Sequence, residues 1–386
     1  MPRSISPYDR KDSPSFNEFF KPAKEAMKGM PPLTSGCNRP LKMSFENQLK
    51  ALVFYHLEEH VSARHLLQVL EEDDYAREHI APKDGIKKSS FSEAVNTRGL
   101  EQFAFVFSQL QALADSISPQ NYLESGNLVA IDGSLIDAVL SMTWADYRKG
   151  SKKAKVHMGL DVNRSIPGKL FLTHGNGGER PFVSQLLSSD ETGILDRGYQ
   201  CHKRFDLWLE EDTLFVCRVK ASTKKTVIKE NYVDPESIVF FDAIVLLGTL
   251  NVNQTKKQIR LTGYEIRGVK YRIATNRYDL TAEQIALVYK LRWDVEKFFA
   301  WWKRHLKVYH LIAGSEHGLM VLIPAGLITY LLLAIHCRQK HSEKVSIKRV
   351  RELRIRIQNE LRSSEIKISE KYIKEQGKPE RLHAKT

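Results

Sequence analysis

Cysteine is scarce in this sequence of 386 residues, and its placement excludes two classes of protein. The four cysteines are Cys37, Cys201, Cys217 and Cys337, which form no CxxC pair and no dense framework. Disulfide-stapled secreted domains and structural zinc sites both need such patterns. The N-terminus also lacks the apolar run of a signal peptide, so we expect a chain that stays in the reducing cytoplasm.

Acidic residues are too few to balance the basic ones. Lysine and arginine number 59 against 46 aspartates and glutamates, which gives a formal net charge of +13. This excess favours a polyanionic partner, either nucleic acid or an anionic membrane surface. Because 42% of the residues are hydrophobic, the chain can still bury a sizeable core, and its length is sufficient for two or three domains.

One long apolar run stands out. Residues 318–335, GLMVLIPAGLITYLLLAI, carry no charged side chain and reach the lower limit of a membrane span. The run contains Pro324 and two glycines and has no second run beside it. These features favour a helix buried on all sides in a large domain, with a single membrane span as the less favoured alternative.

The N-terminal third consists of two regions that differ in composition. Residues 1–40 are rich in proline, serine and lysine, which predicts a loosely ordered arm. Residues 41–122 predict a helical domain, with two helices in SFENQLKALVFYHLEEHVSARHLLQVLEED and two in SSFSEAVNTRGLEQFAFVFSQLQAL. A capping box of Ser90 and Glu93 is expected to open the third helix. This domain fits a helix-turn-helix DNA reader and a plain packing domain equally well.

An α/β domain is predicted over residues 123–345. The apolar runs LVAI, VHMGLDV, KLFLT, GIL and LFVCRV alternate with polar turns, which indicates a mixed sheet. Residues 222–274 predict a β-rich insertion with a turn at Arg267–Gly268. The run RKGSKKAK, 148–155, predicts a solvated loop, with DNA backbone contact as the alternative. Residues 346–386, with twelve Lys or Arg against six Glu, predict a basic helical extension.

Polar side chains recur at regular steps near residue 290. A capping box of Thr281 and Gln284, with no Gly or Pro before Lys307, predicts one long helix. Its polar stripe consists of Tyr289, Arg292, Glu296 and Lys303. Their offsets of 3, 7 and 14 residues, at about 100° per residue, place them within an arc of roughly 60°. Apolar residues occupy the other side, so we expect the stripe to face away from the core, either as a plain solvated face or as a functional one.

Two aspartates upstream end apolar runs. Asp132 follows LVAI and Asp196 follows GIL, which puts each carboxylate where a buried strand gives way to a turn. Strand ends are where an α/β sheet displays its chemistry, although an aspartate there also commonly caps a turn. Together with Glu296 they make three carboxylates that can converge, and Asp137 and Asp161 are reserve candidates for Asp132.

Three neighbouring carboxylates cannot all ionise cheaply, so they require cations between them. Oxygen ligands select hard ions such as Mg²⁺, and two such ions support phosphodiester transfer. We therefore expect two Mg²⁺ ions, with Mn²⁺ able to substitute. Arg292 and Lys303 would neutralise DNA phosphates beside the reacting bond, and Tyr289 would hydrogen-bond one.

The spacing Y-x2-R-x3-E-x6-K resembles the signature of bacterial insertion-sequence DDE transposases, specifically the insertion-sequence-4 family. The motifs AIDGS and LDRGY precede it in the same order, with 64 residues from Asp132 to Asp196 and 100 from Asp196 to Glu296. The resemblance covers about residues 127–340. The helical region before it is only broadly similar to the DNA-binding domains of that family.

The resemblance implies an α/β fold, namely a ribonuclease-H-like catalytic domain preceded by a small all-α domain. Asp132 would lie on the first strand, Asp196 near the fourth and Glu296 on a later helix, and all three would be catalytic metal ligands. It also implies that residues 318–335 form a buried helix of the catalytic domain.

The function implied by the resemblance is cut-and-paste transposition. Such enzymes bind the inverted-repeat ends of their element, cut them with metal-assisted hydrolysis and join the 3′ hydroxyl to target DNA. A homodimer that pairs two ends, no membrane partner and a location on the bacterial nucleoid are implied as well. Relatives form a hairpin with a flipped base, and Trp293 is the candidate to stack on it, although tryptophan on a helix is more often core.

Two other functions remain open from the sequence. A ribonuclease-H-like nuclease or resolvase would use the same three carboxylates without strand transfer. A catalytically inactive descendant of a transposase would bind DNA only. A glycosidase with two carboxylates fits poorly, because nothing in it would explain Arg292 and Lys303 beside Glu296.

Overall fold

The structure is a computed structural model. It describes residues 15–33, 41–82, 85–138, 142–148, 151–308, 313 and 315–376. The chain divides into two compact units, which are a sheet unit of residues 114–304 and a helical unit of residues 1–113 and 305–386. The domain boundaries that composition predicts, 1–40, 41–122, 123–345 and 346–386, stay predictions.

The helices and strands follow one another in three blocks. The first six helices are α1 (Ser15–Ala26), α2 (Phe45–Leu57), α3 (Ala63–Glu72), α4 (Asp74–His79), α5 (Lys88–Thr97) and α6 (Leu100–Ile117). The strands are β1 (Asn127–Asp137), β2 (Asp146–Arg148), β3 (Ser151–Asp161), β4 (Ile166–His174), β5 (Glu191–Leu195), β6 (Leu214–Arg218), β7 (Lys225–Glu230), β8 (Val239–Leu247), β9 (Ile259–Ile266) and β10 (Val269–Thr275). The other helices are α7 (Val183–Leu186), α8 (His202–Glu210), α9 (Ala282–Lys290), α10 (Trp293–His305), α11 (Glu316–His341) and α12 (Ile347–Gln376).

Helix α1 departs from the expectation of a loosely ordered arm. Its buried aromatic residues Phe16, Phe19 and Phe20 share one face, because positions i, i+3 and i+4 of a helix are neighbours. Phe16 also meets the ring of Phe54 edge-on, with centroids 5.7 Å apart. Composition therefore missed an amphipathic segment within a polar stretch, and the arm residues 1–14 and 34–40 lie outside the described residues.

The four helices predicted between residues 41 and 122 are all present as α2, α3, α5 and α6. The predicted capping box of Ser90 and Glu93 is wrong. Helix α5 begins at Lys88, and its N-cap Lys87, three residues before Ser90, makes no side-chain capping bond. Ser90 is buried inside the first turn instead, so the motif does not mark the helix start.

The long apolar run forms α11, which packs against α1, α2 and α5. Among the described residues this is one helix that is long and apolar enough to cross a membrane, and 83% of its most apolar stretch is buried. Burial on all sides confirms the helix expected from the run. The helix belongs to the helical unit, however, whereas the resemblance places it in the catalytic domain.

The sheet unit is built on one mixed sheet. The strand order is β2-β3-β1-β5-β6-β10-β9-β8-β7, and β4 also pairs with β3, from Ala154 onward. Strands β1, β5 and β6 run parallel, whereas β3 is antiparallel to β1, and β10 is antiparallel to β6. The five apolar runs of the sequence correspond to β1, β3, β4, β5 and β6. A mixed sheet of this kind is consistent with a ribonuclease-H-like domain.

The region predicted as a β-rich insertion contains four antiparallel strands, β7 to β10, which extend the sheet beyond β6. Arg267 and Gly268 connect β9 to β10 as a two-residue turn. Both have positive φ, at 51° and 76°, as the tight hairpin turn with the right twist requires. The predicted turn is therefore confirmed.

The basic run 148–155 is not a loop throughout. From Ser151 onward it forms the start of β3, which pairs with β1 and β2. Lys153 forms an ion pair with Asp137, and Lys155 forms one with Glu179. Alternation of polar and apolar residues along a half-buried strand explains why the run looked solvated.

The long helix predicted from residue 281 is divided. The capping box of Thr281 and Gln284 is present and opens α9, but α9 ends at Lys290 and α10 begins at Trp293. At the break, the amides of Leu291 and Arg292 bond to carbonyls three residues back. Such tightened turns end an α-helix without Gly or Pro, so the absence of those residues did not guarantee continuity.

Candidate active site

Asp132 and Asp196 both follow the paired residues of two neighbouring parallel strands. Strand β1 is paired in parallel with β5, and each residue of β1 faces the residue 64 positions later, up to Ala130 and Ile194. Asp132 and Asp196 have the same offset and lie two positions further along. The gap of 64 residues seen in the sequence is therefore the register of this strand pair.

Backbone amides orient both aspartates. Asp132 Oδ1 accepts a hydrogen bond from the amide of Gly133 at 2.8 Å. Asp196 Oδ1 accepts one from the amide of Gly198 at 2.7 Å and thereby caps a short 3₁₀ turn. One oxygen of each carboxylate is used in this way, which fixes the direction in which the side chain presents its other oxygen.

Asp132 stands in surroundings that disfavour its negative charge. The pKa of this carboxyl is raised to about 6, chiefly by burial and also by the nearby carboxylates of Glu179 and Asp196, while the Gly133 amide and Arg292 act in the opposite direction. A partly buried group of like charges is a site where a cation would be stabilised.

Arg292 brings positive charge to the two aspartates and to Glu296. Its side chain is 8% exposed, and its Nη1 donates to Glu296 Oε1 at 2.6 Å. Burial works against its charge, but the bond to Glu296 and the negative charge of Asp196 hold the pKa of Arg292 above its usual value. Arg292 thus bonds to Glu296 on α10 and lies within electrostatic range of Asp132 and Asp196.

Tyr289 and Arg292 contradict the expectation that the polar stripe faces away from the core. They are 3% and 7% exposed. Tyr289 packs against the ring of Tyr271 on β10, with centroids 6.2 Å apart, and burial raises the pKa of its hydroxyl. Both flanks of the helix pair are therefore buried, because residues such as Val295 on the other side are buried as well.

Lys303 reaches back to the first strand. Its Nζ donates to the backbone carbonyl of Leu135 at 2.5 Å. Burial lowers the pKa of this ammonium, whereas Asp137 and Asp132 favour its charge. The C-terminal half of α10 is thereby joined to the strand that carries Asp132.

Trp293 is 51% exposed, so it is not a core residue. The guanidinium of Arg292 lies over its ring, 4.9 Å from the centroid. The reserve aspartates form other pairs, since Asp137 bonds to Lys153 at 2.5 Å and Asp161 to Arg164 at 3.0 Å.

The sequence did not single out a fourth carboxylate, Glu179. It forms an ion pair with Lys155 at 3.1 Å and stands beside Asp132 and the buried Tyr199. A Cβ at position 133 would come within 2.7 Å of Glu179 Oε1, so Gly133 permits this approach. The only local signals were that glycine after Asp132 and the tyrosine of RGY.

The residues fit a divalent metal ion in kind. Carboxylate oxygens are the ligands of hard cations, and the carboxylates of Glu179 and Asp196 near Asp132 concentrate negative charge there. Among the described residues, however, no three His, Cys, Asp or Glu side chains are grouped closely enough to form a ready metal cage. Glu296 is held by Arg292 and would complete a ligand set with Asp132 and Asp196 only with some movement.

Comparison with known proteins gives three similar chains. A protein of Geobacillus stearothermophilus, named as the probable transposase for insertion sequence element IS5377, is 29% identical over 53% of this chain. A Synechocystis protein named in the same way for element IS4SA is 24% identical over 69% of this chain. A Sinorhizobium fredii protein, likewise named as a transposase, is 28% identical over 50%. The matches span 55%, 76% and 56% of these relatives, so two are covered over little more than half their length.

A family described as Transposase DDE domain matches residues 124–332, which is more than half of the chain. This range contains both aspartates, Glu296 and the whole of the sheet from β1 to β10. The match includes the two-strand register and the helix whose arginine joins the three acidic residues. The chain belongs to the transposase family that is defined by the DDE domain.

Proposed function

We propose that this chain is a cut-and-paste transposase of the insertion-sequence-4 type. It binds the inverted-repeat ends of its element, hydrolyses a phosphodiester bond there and joins the 3′ hydroxyl to target DNA. The observation that supports this most directly is the electrostatic proximity of Asp132 and Asp196, just past the paired residues of β1 and β5, together with the Arg292–Glu296 pair, whose arginine is within range of both aspartates.

Asp132, Asp196 and Glu296 would hold the metal ions of this reaction through their carboxylate oxygens. Two Mg²⁺ ions, for which Mn²⁺ can substitute, supply activation of the attacking oxygen and stabilisation of the leaving one when bound. Before binding, Arg292 compensates part of the negative charge of the three carboxylates. The protein thus keeps an acidic site folded before any metal arrives.

The cationic residues of α9 and α10 would position the DNA. Lys303 lies where β1 continues past Asp132, so its ammonium can neutralise a phosphate next to the reacting one. Arg292 can contact a second phosphate when Glu296 turns to a metal ion. Tyr289 would hydrogen-bond a phosphate through its hydroxyl. Trp293, which is exposed, would stack on an unpaired base.

Joining two ends of one element requires two active sites, so we infer a homodimer on DNA. We also infer that the protein acts on the bacterial nucleoid in the cytoplasm. These inferences follow from the proposed reaction and from the positive charge of the chain.

The test is cleavage and strand transfer of a labelled duplex that bears the ends of the element, with Mg²⁺ present. Asp132→Asn and Glu296→Gln remove one charge each with little change of shape. Asp212→Asn is the matched control, because Asp212 is exposed and its φ of 52° suits asparagine.

Joined products that need the metal and disappear in both site variants, but not in the control, are expected. Nicked products without joining would show a ribonuclease-H-like nuclease instead. End-specific binding with no cleavage by the intact chain would show an inactive descendant that only binds DNA.

A further inference from the structure

An open cleft in the sheet unit begins one residue after Asp196. It is lined by the start of α8 and the turn before it, by the loop 220–224 that follows β6, and by the loop 248–256 between β8 and β9. Its volume of about 910 Å³ lies at the upper end of the range for small-molecule pockets, roughly 300–1,000 Å³. It has room for an extended ligand rather than a single ion, and we call it the basic cleft.

Cationic side chains dominate the basic cleft. They are Arg180, Arg197, Lys203, Lys220, Lys224 and Lys256. All are exposed, and within the described part of the chain none of them forms an ion pair with a carboxylate. Unpaired cations that converge on one groove repel one another, so they favour a ligand that carries several negative charges.

The acidic residue of the lining does not neutralise them. Among the described residues that line the basic cleft, Asp206 alone is acidic. Its carboxylate accepts hydrogen bonds from the amides of Lys256 and Lys257, at 3.0 and 2.9 Å. Because this carboxylate is occupied by the backbone, it secures the loop instead of pairing with a lysine side chain.

The walls of the basic cleft are fixed to each other. Gln200 accepts a hydrogen bond from the amide of Lys220 at 2.8 Å and donates to Thr223 at 2.9 Å. His202 Nδ1 donates to the carbonyl of Asn253 at 2.6 Å. Gly248, with φ of 107°, leaves the space for this contact, since a Cβ there would lie 2.4 Å from the Asn253 oxygen. The loops that carry the cationic side chains are therefore held in position in advance of binding.

Two apolar side chains stand at the rim of the basic cleft. Leu250 and Val252, on the loop between β8 and β9, are 66% and 77% exposed. Exposed aliphatic groups beside cations suit a ligand that has both phosphates and flat apolar rings. A nucleic acid strand has both, whereas free phosphate or another small anion has only the charge.

We propose that the basic cleft holds the phosphate backbone of the DNA strand that continues from the bond at Asp132 and Asp196. This inference rests on the proposed function for the identity of the DNA. Lys220 and Lys224 contact phosphates on one wall, Lys203 and Arg197 do so at the start of α8, and Val252 packs against a base or sugar.

The test measures binding of a short labelled duplex of mixed sequence over a range of salt concentrations, roughly 50 to 200 mM. The protein is the full chain with Asp132→Asn, so that no cleavage occurs. The double variant Lys220→Gln and Lys224→Gln removes two cations from the basic cleft. The control, Lys229→Gln with Lys270→Gln, removes two exposed cations from β7 and β10, which do not line it.

Each phosphate contact adds about 0.9 to the slope of log affinity against log salt. The cleft variant should therefore lose about 2 from that slope and bind more weakly, while the control keeps the slope of the parent. Val252→Ser should weaken binding without changing the slope. Its control, Ile228→Ser on β7, should change neither the affinity nor the slope. Thermal unfolding of each variant checks that it is folded.

Equal slopes for the cleft and control variants would overturn the inference. This outcome is distinct from failure of the proposed function. If the chain cleaves and joins DNA but the slopes are equal, the proposed function stands and the DNA-binding role of the basic cleft is wrong. If the chain never cleaves DNA but the slope falls only in the cleft variant, the basic cleft binds DNA and the proposed function is wrong. If the slope changes in the cleft variant but inorganic phosphate fully displaces the DNA, the basic cleft is a site for small anions. This outcome also overturns the inference.

Discussion

Arg292 carries a large share of the charge balance at the candidate site. Its guanidinium is nearly buried, bonds to Glu296 and lies within electrostatic range of Asp132 and Asp196. A buried carboxylate that loses its partner retains the cost of desolvation. Arg292 thus stabilises the fold of the metal-free protein.

We expect Arg292→Gln to lower the free energy of unfolding by about 2 kcal/mol in the absence of metal, because the acidic side chains lose their cation. Lys297→Gln, at an exposed position of the same helix, should change it by less than about 0.5 kcal/mol. Urea denaturation of both variants measures the difference. Equal losses in the two would show that Arg292 is no more than a surface charge.

The sequence pattern predicted candidate residues of this site better than their surroundings. Asp132 lies within β1, which continues to Asp137, and not at a strand end as expected. Asp132, Asp196 and Glu296 were still predictable as candidates, because apolar runs and helical spacing are local properties of the chain. The burial of Tyr289 and Arg292 was not, since it depends on the packing of α9 against β6, β8 and β9. Glu179 was missed for the same reason, because it approaches Asp132 from a different part of the chain.

At the scale of elements, the β9–β10 hairpin shows how two residues fix a strand register. Arg267 and Gly268 both adopt positive φ. A Cβ on Gly268 would meet no atom within 4 Å, so a substitution there is strained through its backbone conformation alone. This makes the position a clean measure of that strain.

We expect Gly268→Ala to lower the free energy of unfolding by about 1 kcal/mol, because alanine resists the left-handed conformation. Gly178→Ala is the control, since its φ is not in that region and its Cβ would only touch Pro181 at 4.0 Å. Chemical denaturation of the two variants gives the comparison. A cost at position 178 as large as at 268 would contradict the assignment.

The helices show where local signals are ambiguous. The capping box at Thr281 was read correctly, whereas the one at Ser90 was not, because the same residue types also fit inside a first turn. The division between α9 and α10 has no Gly or Pro to mark it. Arg292 lies in this break, just before α10, and is within electrostatic range of Asp132 and Asp196.

Buried histidines link the stability of the whole molecule to pH. Burial lowers the pKa of His56, His60, His157 and His336 to about 4. In the unfolded chain their pKa would be about 6.5. Between these values the unfolded state binds more protons than the folded state, so the free energy of unfolding falls as pH falls from about 6.5 to about 4 and levels off below.

His56→Gln should reduce this acid sensitivity. Glutamine can still donate to the carbonyl of Leu306, which His56 Nδ1 contacts at 2.7 Å, but it cannot take up a proton. Each unit of pKa shift corresponds to about 1.4 kcal/mol, so stability measured at pH 7 and at pH 5 should differ less in the variant. His174→Gln, at an exposed position, should leave the difference unchanged. An unaltered pH dependence in His56→Gln would show that His56 is protonated in the folded state.

The sequence by itself determined the DDE transposase family and the main strands of the sheet, and it predicted Asp132, Asp196 and Glu296 as the acidic residues of the site. These follow from motifs, periodicity and spacing, and the 64-residue gap even equals the register of β1 and β5. Tertiary structure decided the burial of Tyr289 and Arg292, the approach of Glu179 and the basic cleft. Each brings together residues far apart in the chain. Such contacts depend on how elements pack, and a local pattern holds no information on distances across the fold.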